Sequence, residues 1–179
     1  MERIGIFCSA SNNIPQIFID KTRELGQWLG KNNKTIIYGG SNQGLMEEIA
    51  KAAKQAGKPT LMGIIPTKLE ERGRVSDLID IEFKTANLSD RKDILQNESE
   101  IMIALPGGIG TLDEVTHVMA EATIGYHDKK IILYNIEGFW NDIIKFMDTL
   151  NAHNFIHRPL SQILLVADTL DELIKFVEE

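Results

Sequence analysis

The sequence predicts an α/β fold: one Rossmann-like, doubly wound parallel sheet flanked by helices, formed as a single domain over residues 1–179. Short apolar runs alternate with amphipathic stretches along the chain, as in successive β–α units. Several of these runs are apolar throughout, as expected when helices cover both faces of a sheet. With 179 residues, 43% of them hydrophobic, the chain can bury a core without disulfides or metal. Cys8 is its single cysteine, so no disulfide forms within the chain.

Seven strands are expected along the chain. They lie at residues 4–8, 35–38, 60–65, 79–84, 101–105, 131–134 and 163–166. The first two helices are indicated by mostly apolar residues that share one helix face. They are Phe18, Thr22, Leu25 and Leu29, then Met46, Ile49, Ala50 and Ala53. Four more helices are expected at residues 88–97, 111–123, 139–151 and 170–178. The charge-rich residues 68–77 predict a mobile loop.

Charge and hydropathy exclude several classes of partner. The formal net charge is −7, which argues against sequence-independent nucleic-acid binding because such binding needs excess Lys and Arg. No apolar run approaches the roughly 18 residues of a membrane helix. The first residues lack a basic segment followed by an apolar one, so the sequence predicts a cytoplasmic protein without a membrane partner.

Glycine and serine follow several of the predicted strands, where an open α/β sheet binds its ligands. They are Ser11, Gly39, Gly40 and the loop of Gly107, Gly108, Ile109, Gly110 and Thr111. Such turns let a backbone approach a phosphate, and a helix N-terminus offers it N–H groups. The alternative is that these residues only make tight turns. The lysine of a P-loop and the third glycine of a dinucleotide fingerprint are both missing, so neither cofactor type is predicted.

The tetrapeptide Thr-Leu-Asp-Glu occurs twice, at residues 111–114 and 169–172. Each copy fits a capping box, in which Thr caps a helix and Glu reaches back to the cap N–H. The tetrapeptide alone therefore does not indicate catalysis. Only the first copy follows a glycine loop, which places Glu114 beside the expected phosphate site.

Other polar residues have two interpretations. Glu114, His117 and Glu121 share one helical stripe, which is either functional or a solvated face. Arg91 and Lys92 are either an exposed basic pair or an anion clamp, since Arg presents a planar fork that matches phosphate. The four histidines show no zinc-ligand spacing with a cysteine, so no metal site is predicted.

Residues 106–114 fit the pattern PGGxGTxxE and, with Arg91-Lys92 upstream, resemble the Lonely Guy family of cytokinin riboside 5′-monophosphate phosphoribohydrolases. The resemblance extends over residues 7–11, 38–40, 44–46, 63–66, 125–127 and 154–156. It implies hydrolysis of the N-glycosidic bond of a nucleoside 5′-monophosphate by a homodimer that uses no cofactor. By this resemblance Glu114 is the catalytic carboxylate, Arg91 is a catalytic or orienting cation, and residues 107–111 hold the phosphate with Lys92 nearby.

Members of this family were also labelled possible lysine decarboxylases, but nothing in this sequence indicates the pyridoxal phosphate site that such chemistry needs. The chain departs from the usual pattern at His117, Ala120 and Glu121, where the family has Glu, Thr and Trp, and at Leu88, where it has Met. We expect these residues around the base pocket, so the preferred base stays open. Apolar Met46, Met119 and Ile124 near helix ends suggest a dimer contact. The alternative function is a carrier that binds a phosphorylated, nucleotide-like ligand without cleaving it, as molybdenum cofactor carriers of related fold do.

Overall fold

A computed structural model describes residues 2–179 and contains one seven-stranded, wholly parallel sheet. The strands are β1 (Arg3–Phe7), β2 (Thr35–Tyr38), β3 (Thr60–Pro66), β4 (Ile81–Thr85), β5 (Ile101–Ala104), β6 (Ile131–Tyr134) and β7 (Leu164–Ala167). All seven predicted strands are confirmed, and their ends move by at most two residues.

The strand order is β4-β3-β2-β1-β5-β6-β7, so the direction of winding reverses between β1 and β5. Ile4 of β1 is in register with Ile36 of β2 on one side and with Ile101 of β5 on the other. The connections leaving β1 and β5 therefore diverge to opposite sides. In doubly wound sheets the crevice at this point, beyond the carboxyl ends of the strands, is where ligands bind.

The helices cover both faces of the sheet. They are α1 (Gln16–Lys31), α2 (Gly44–Ala56), α3 (Thr67–Glu70), α4 (Leu88–Glu98), α5 (Ile109–Ile124), α6 (Asn141–Ala152) and α7 (Leu170–Glu178). Buried residues of α1, α2 and α7 form one core, and those of α4, α5 and α6 form the other. Successive strand residues supply the two cores in turn: Ile36 and Tyr38 face the first, and Ile37 faces the second. This arrangement explains why the strands are apolar throughout.

The two copies of Thr-Leu-Asp-Glu begin their helices differently. Thr169 caps α7 in a complete capping box with Glu172, as predicted. The same prediction is wrong for Thr111, because α5 begins earlier, at Ile109, with Gly108 as its N-cap. Thr111 is buried in the first turn instead, and Glu114 lies one turn further along the helix. Gly107 permits this packing, since a side chain there would collide with that of Thr111.

The mobile loop predicted at residues 68–77 has little regular structure beyond α3, but it is tied to the rest of the fold. Its beginning lies in α3, and Val75 forms an antiparallel bridge with Ser41. The Ser76 N–H donates to the carbonyl of Gly40 at 2.9 Å, and Ser76 is buried. The segment is thus pinned along the turn that follows β2.

The prediction of a dimer contact is wrong for two of its three apolar residues. Met46 and Met119 are buried in the two cores, whereas Ile124 is 72% exposed. None of the helices among residues 2–179 is long and apolar enough to cross a membrane.

Candidate active site

A cavity of about 280 Å³ opens at the point where the winding of the sheet reverses. This size is near the lower end for small-molecule sites. The lining residues are Cys8, Ser9, Ala10, Ser41, Met46, Leu69, Arg74, Arg91, Gly108, Gly110, Thr111 and Glu114. They come from the ends of β1 and β2, the starts of α2 and α5, and the segments around α3 and α4.

Arg91 of α4 and Glu114 of α5 both line this cavity, and their side chains face each other. Arg91 Nη1 lies 3.6 Å from Glu114 Oε1, an electrostatic contact longer than a good hydrogen bond. Arg91 Nε donates to the carbonyl oxygen of Ile64 at 3.2 Å, which fixes the plane of the guanidinium. Its Nη2 is buried and finds no hydrogen-bond partner among residues 2–179. The guanidinium therefore keeps unused donor capacity inside the cavity wall.

Glu114 is only 6% exposed. Burial raises the pKa of its carboxyl to about 7, and Asp113 adds to the rise, while the positive charges of Arg91 and Lys92 oppose it. A carboxyl with a pKa near neutral pH can both accept and return a proton there. Burial of the Cys8 thiol likewise raises its pKa, so Cys8 stays protonated and supplies no nucleophile.

The N-terminus of α5 forms one side of the cavity. The first hydrogen bond of the helix runs from the Leu112 N–H to the Gly108 carbonyl at 3.0 Å. The preceding N–H groups of Ile109, Gly110 and Thr111 have no acceptor within the helix. These free donors and the positive end of the helix dipole favour an anion such as phosphate. No atom lies within 4 Å of where a Cβ would stand on Gly108 or Gly110, so the backbone is accessible there.

Several predicted site residues lie outside the cavity lining. Gly39 is buried, and a Cβ on it would stand 2.0 Å from Arg91 Nη2. Gly40 is buried with φ 67°, where a side chain would strike Ile65. The two glycines therefore leave space for neighbouring side chains, and the space beside Gly39 is occupied by the Arg91 guanidinium.

The other predicted residues lie at the margin of the site. Lys92 Nζ is paired with Asp113 at 2.9 Å. Gly107 packs against Thr111, Ile109 is 83% exposed, and Ser11 is exposed, with its N–H donating to Ser9 Oγ at 3.0 Å. The structure thus brings together Arg91, Glu114, Gly108, Gly110 and Thr111.

Arg74 is a cavity residue that the sequence did not single out. It lies in the segment pinned beside Gly40 and Ser41, where its carbonyl accepts a hydrogen bond from the Asn42 N–H at 3.2 Å. Its guanidinium side chain lines the cavity together with Leu69. The high density of charged residues at 68–77 was the available signal. Only the bridge from Val75 to Ser41 shows that this segment reaches the site.

The residues expected around a base pocket do not line the cavity in this chain. His117 contacts Asp93 of α4 and Glu121 of its own helix instead, while Ala120 and Leu88 are exposed. No metal site was predicted from histidine spacing, yet Asp93, His117 and Glu121 bring three potential ligand atoms together. The spacing could not show this cluster because one member comes from another helix.

The family model described as "Possible lysine decarboxylase" matches residues 46–177. The chain is 34% identical over 177 residues to the cytokinin riboside 5′-monophosphate phosphoribohydrolase LOG4 of Arabidopsis thaliana, a match covering 99% of this chain and 82% of that protein. It is equally identical to the probable phosphoribohydrolase LOGL2 of rice, with 99% and 72% covered. The chain belongs to the Lonely Guy family.

Solved structures share the fold of this Lonely Guy protein. The molybdenum cofactor carrier protein of Chlamydomonas reinhardtii superposes with a TM-score of 0.75 at 25% identity, covering 99% of this chain and 96% of that one. The molybdenum cofactor binding protein of Rippkaea orientalis gives 0.71 at 23% identity, with 99% and 95% covered. These neighbours confirm the predicted α/β architecture.

Proposed function

We propose that the protein hydrolyses the N-glycosidic bond of a nucleoside 5′-monophosphate, releasing the free base and ribose 5-phosphate. The observation that carries the proposal is the buried Glu114 carboxyl, facing Arg91 in a cavity bounded by the N-terminus of α5. The activity named for the relatives LOG4 and LOGL2 supports the same reaction.

In this proposal the substrate phosphate binds at the start of α5, against Gly108, Gly110 and the N–H groups of the first turn. The phosphate holds the ribose at a fixed distance from Glu114, which lies further along the same helix. Rigid positioning of this kind lowers the entropic part of the barrier. Binding energy from the phosphate thereby helps to lower the barrier to reaction at C1′ of the ribose.

Departure of the base breaks the bond from C1′ to the base nitrogen and leaves positive charge on the ribose ring. The Glu114 carboxylate stabilises this charge and accepts a proton from the water that attacks C1′. The bond electrons go to the base, which takes up a proton. Arg91 holds the Glu114 carboxylate in place, and its positive charge favours the ionised form by lowering the pKa of Glu114. Lys92, tied to Asp113, adds positive charge at the margin of the site.

The second candidate is a carrier that binds such a ligand without cleaving it. The shared fold of the molybdenum cofactor carrier favours this candidate. A carrier of an anionic ligand gains nothing from a carboxyl buried in the cavity, because a carboxylate repels phosphate. The presence of Glu114 beside Arg91 therefore favours the enzyme.

The same proposal includes a homodimer and a cytoplasmic location. Ile109 is 83% exposed, Ile124 is 72% exposed and Tyr126 is 76% exposed. Ile109 and Ile124 are the first and last residues of α5, and Tyr126 follows the C-cap of that helix. Apolar groups of this size gain free energy when a second copy covers them.

Base release from a panel of nucleoside 5′-monophosphates, followed by chromatography, tests the reaction. AMP-type compounds should be cleaved far faster than the matching nucleosides, because only the monophosphates engage the start of α5. The panel should include adenine bases with and without an N6 isoprenoid group, which reports the preferred base. Equal rates for adenosine and AMP would contradict the phosphate anchor, and tight AMP binding without base release would favour the carrier.

A further inference from the structure

A second cluster of chemically reactive side chains lies on the same two helices as Arg91 and Glu114 but outside their cavity. His117 Nε2 is 3.2 Å from Asp93 Oδ1 and 3.6 Å from Glu121 Oε1. One ligand atom from each of these three residues lies within 4.8 Å of the other two. Asp93 comes from α4, whereas His117 and Glu121 stand four residues apart on α5. This metal-ligand cluster therefore spans two helices.

A buried amide beside the metal-ligand cluster has an acceptor oxygen that no donor of the described residues reaches. Gln96 is 4% exposed, and its Nε2 donates to Glu121 Oε2. Its Oε1 is buried and has no hydrogen-bond donor among residues 2–179, although Gln96 lines one cavity with Asp93 and Glu121. His117 Nε2 also lacks a well-formed hydrogen bond there. A buried carbonyl oxygen without a donor destabilises the folded protein, and a cation in this cavity would relieve that cost.

Nearby lysines do not neutralise the two carboxylates. Lys92 Nζ is engaged by Asp113, and Lys129 Nζ donates to the backbone carbonyls of Gln96 and Asn97. His127 also lines the cavity, and burial and the charge of Lys129 lower its pKa. Among residues 2–179, no lysine or arginine pairs with the carboxylate of Asp93 or Glu121.

We propose that Asp93, His117 and Glu121 bind one divalent metal ion of the class to which Zn²⁺ and Mn²⁺ belong. One imidazole nitrogen and two carboxylate oxygens form a donor set that such ions accept, and the Gln96 oxygen lies beside it. The ion joins α4 to α5 one turn away from the pair of Arg91 and Glu114. Its role is to hold the two helices, and hence that pair, at a fixed separation.

Isothermal titration of the full-length, metal-stripped protein with Zn²⁺, and separately with Mn²⁺, tests the proposal. We expect one ion per chain. Asp93→Asn should weaken binding by about tenfold or more, and His117→Asn should do the same, because loss of even an indirect partner of a metal costs about 10- to 100-fold. Asp93 is exposed, so its variant should fold as the wild type does. His153→Asn alters an exposed histidine elsewhere and should bind as the wild type does.

Thermal melting of the same proteins gives a readout that does not depend on activity. Saturating metal should raise the melting temperature of the wild type and of His153→Asn, but not of Asp93→Asn. The proposal is overturned if the wild type binds neither metal at micromolar concentrations. It is equally overturned if the Asp93 and His117 variants bind like the wild type, since the ion would then lie elsewhere.

Discussion

Among single residues, Glu114 matters most, because the proposed release of the base depends on the ionisation of its carboxyl. Its pKa of about 7 means that the carboxylate form, which the reaction needs, declines as the pH falls below neutral. We therefore expect kcat/KM for AMP to fall on the acid side with an apparent pKa near 7, approaching about tenfold per pH unit.

The measurement is a profile of kcat/KM between about pH 5 and pH 9, since kcat/KM reports the ionisation of the free enzyme. Binding of ribose 5-phosphate over the same range is the control, because the phosphate itself titrates near pH 6. A profile that stays flat down to pH 5, with unchanged ribose 5-phosphate binding, would show that Glu114 need not be ionised.

Exchanging arginine and lysine should have different effects at the adjacent positions Arg91 and Lys92. Arg91 uses Nε on the Ile64 carbonyl and Nη1 toward Glu114, so one lysine nitrogen cannot replace both contacts. Lys92 makes one contact, to Asp113, which an arginine can also make. We expect Arg91→Lys to lose most of its base-release rate and Lys92→Arg to keep much of it. The opposite order in a steady-state assay would mean that Lys92 is the essential cation.

At the scale of elements, α1 and α2 approach so closely that their contact requires glycine. A Cβ on Gly30 would stand 2.1 Å from the Ala53 carbonyl oxygen, and one on Gly26 would stand 2.8 Å from that of Ile49. Both obstacles are backbone atoms, which cannot rotate away. Gly30→Ala should destabilise the protein by roughly 1–3 kcal/mol despite the better helix propensity of alanine, and Gly26→Ala should cost less. Urea denaturation measures both, and a Gly30→Ala variant as stable as the wild type would refute the close contact.

Strand positions could be predicted from the sequence because they depend on local pattern, and apolar runs identified all seven strands. The pair of Arg91 and Glu114 was implied by the resemblance to the Lonely Guy family, and both residues line the cavity. The start of α5 could not be predicted, because Thr111 fits a cap equally well whether or not Gly107 lets it pack inward. Contacts between distant segments were also out of reach: Arg74 reaches the cavity through a bridge to Ser41, and Asp93 meets His117 across two helices.

At the scale of the whole molecule, the exposed apolar residues at the ends of α5 predict a dimer. We expect light scattering to give twice the chain mass of 20.1 kDa at micromolar protein. Ile124→Asp should shift the equilibrium toward monomer, since it places a charge among apolar groups. Lys51→Asp on α2, also exposed, is the matched control and should stay dimeric. A wild-type monomer with full activity would contradict the dimer.

Single-turnover release of base and ribose 5-phosphate from AMP tests whether Glu114 makes this cavity an active site. Glu114→Gln preserves size but removes the charge and the base, a loss that typically costs about 10²–10⁴-fold in rate. Glu172→Gln makes the same change in the capping box of α7 and should cost roughly 0.5 kcal/mol of stability or less, with activity retained. We predict that Glu114→Gln still folds and binds AMP but releases almost no base, while Glu172→Gln releases it like the wild type. Wild-type rates from Glu114→Gln would show that Glu114 is not the catalytic carboxylate.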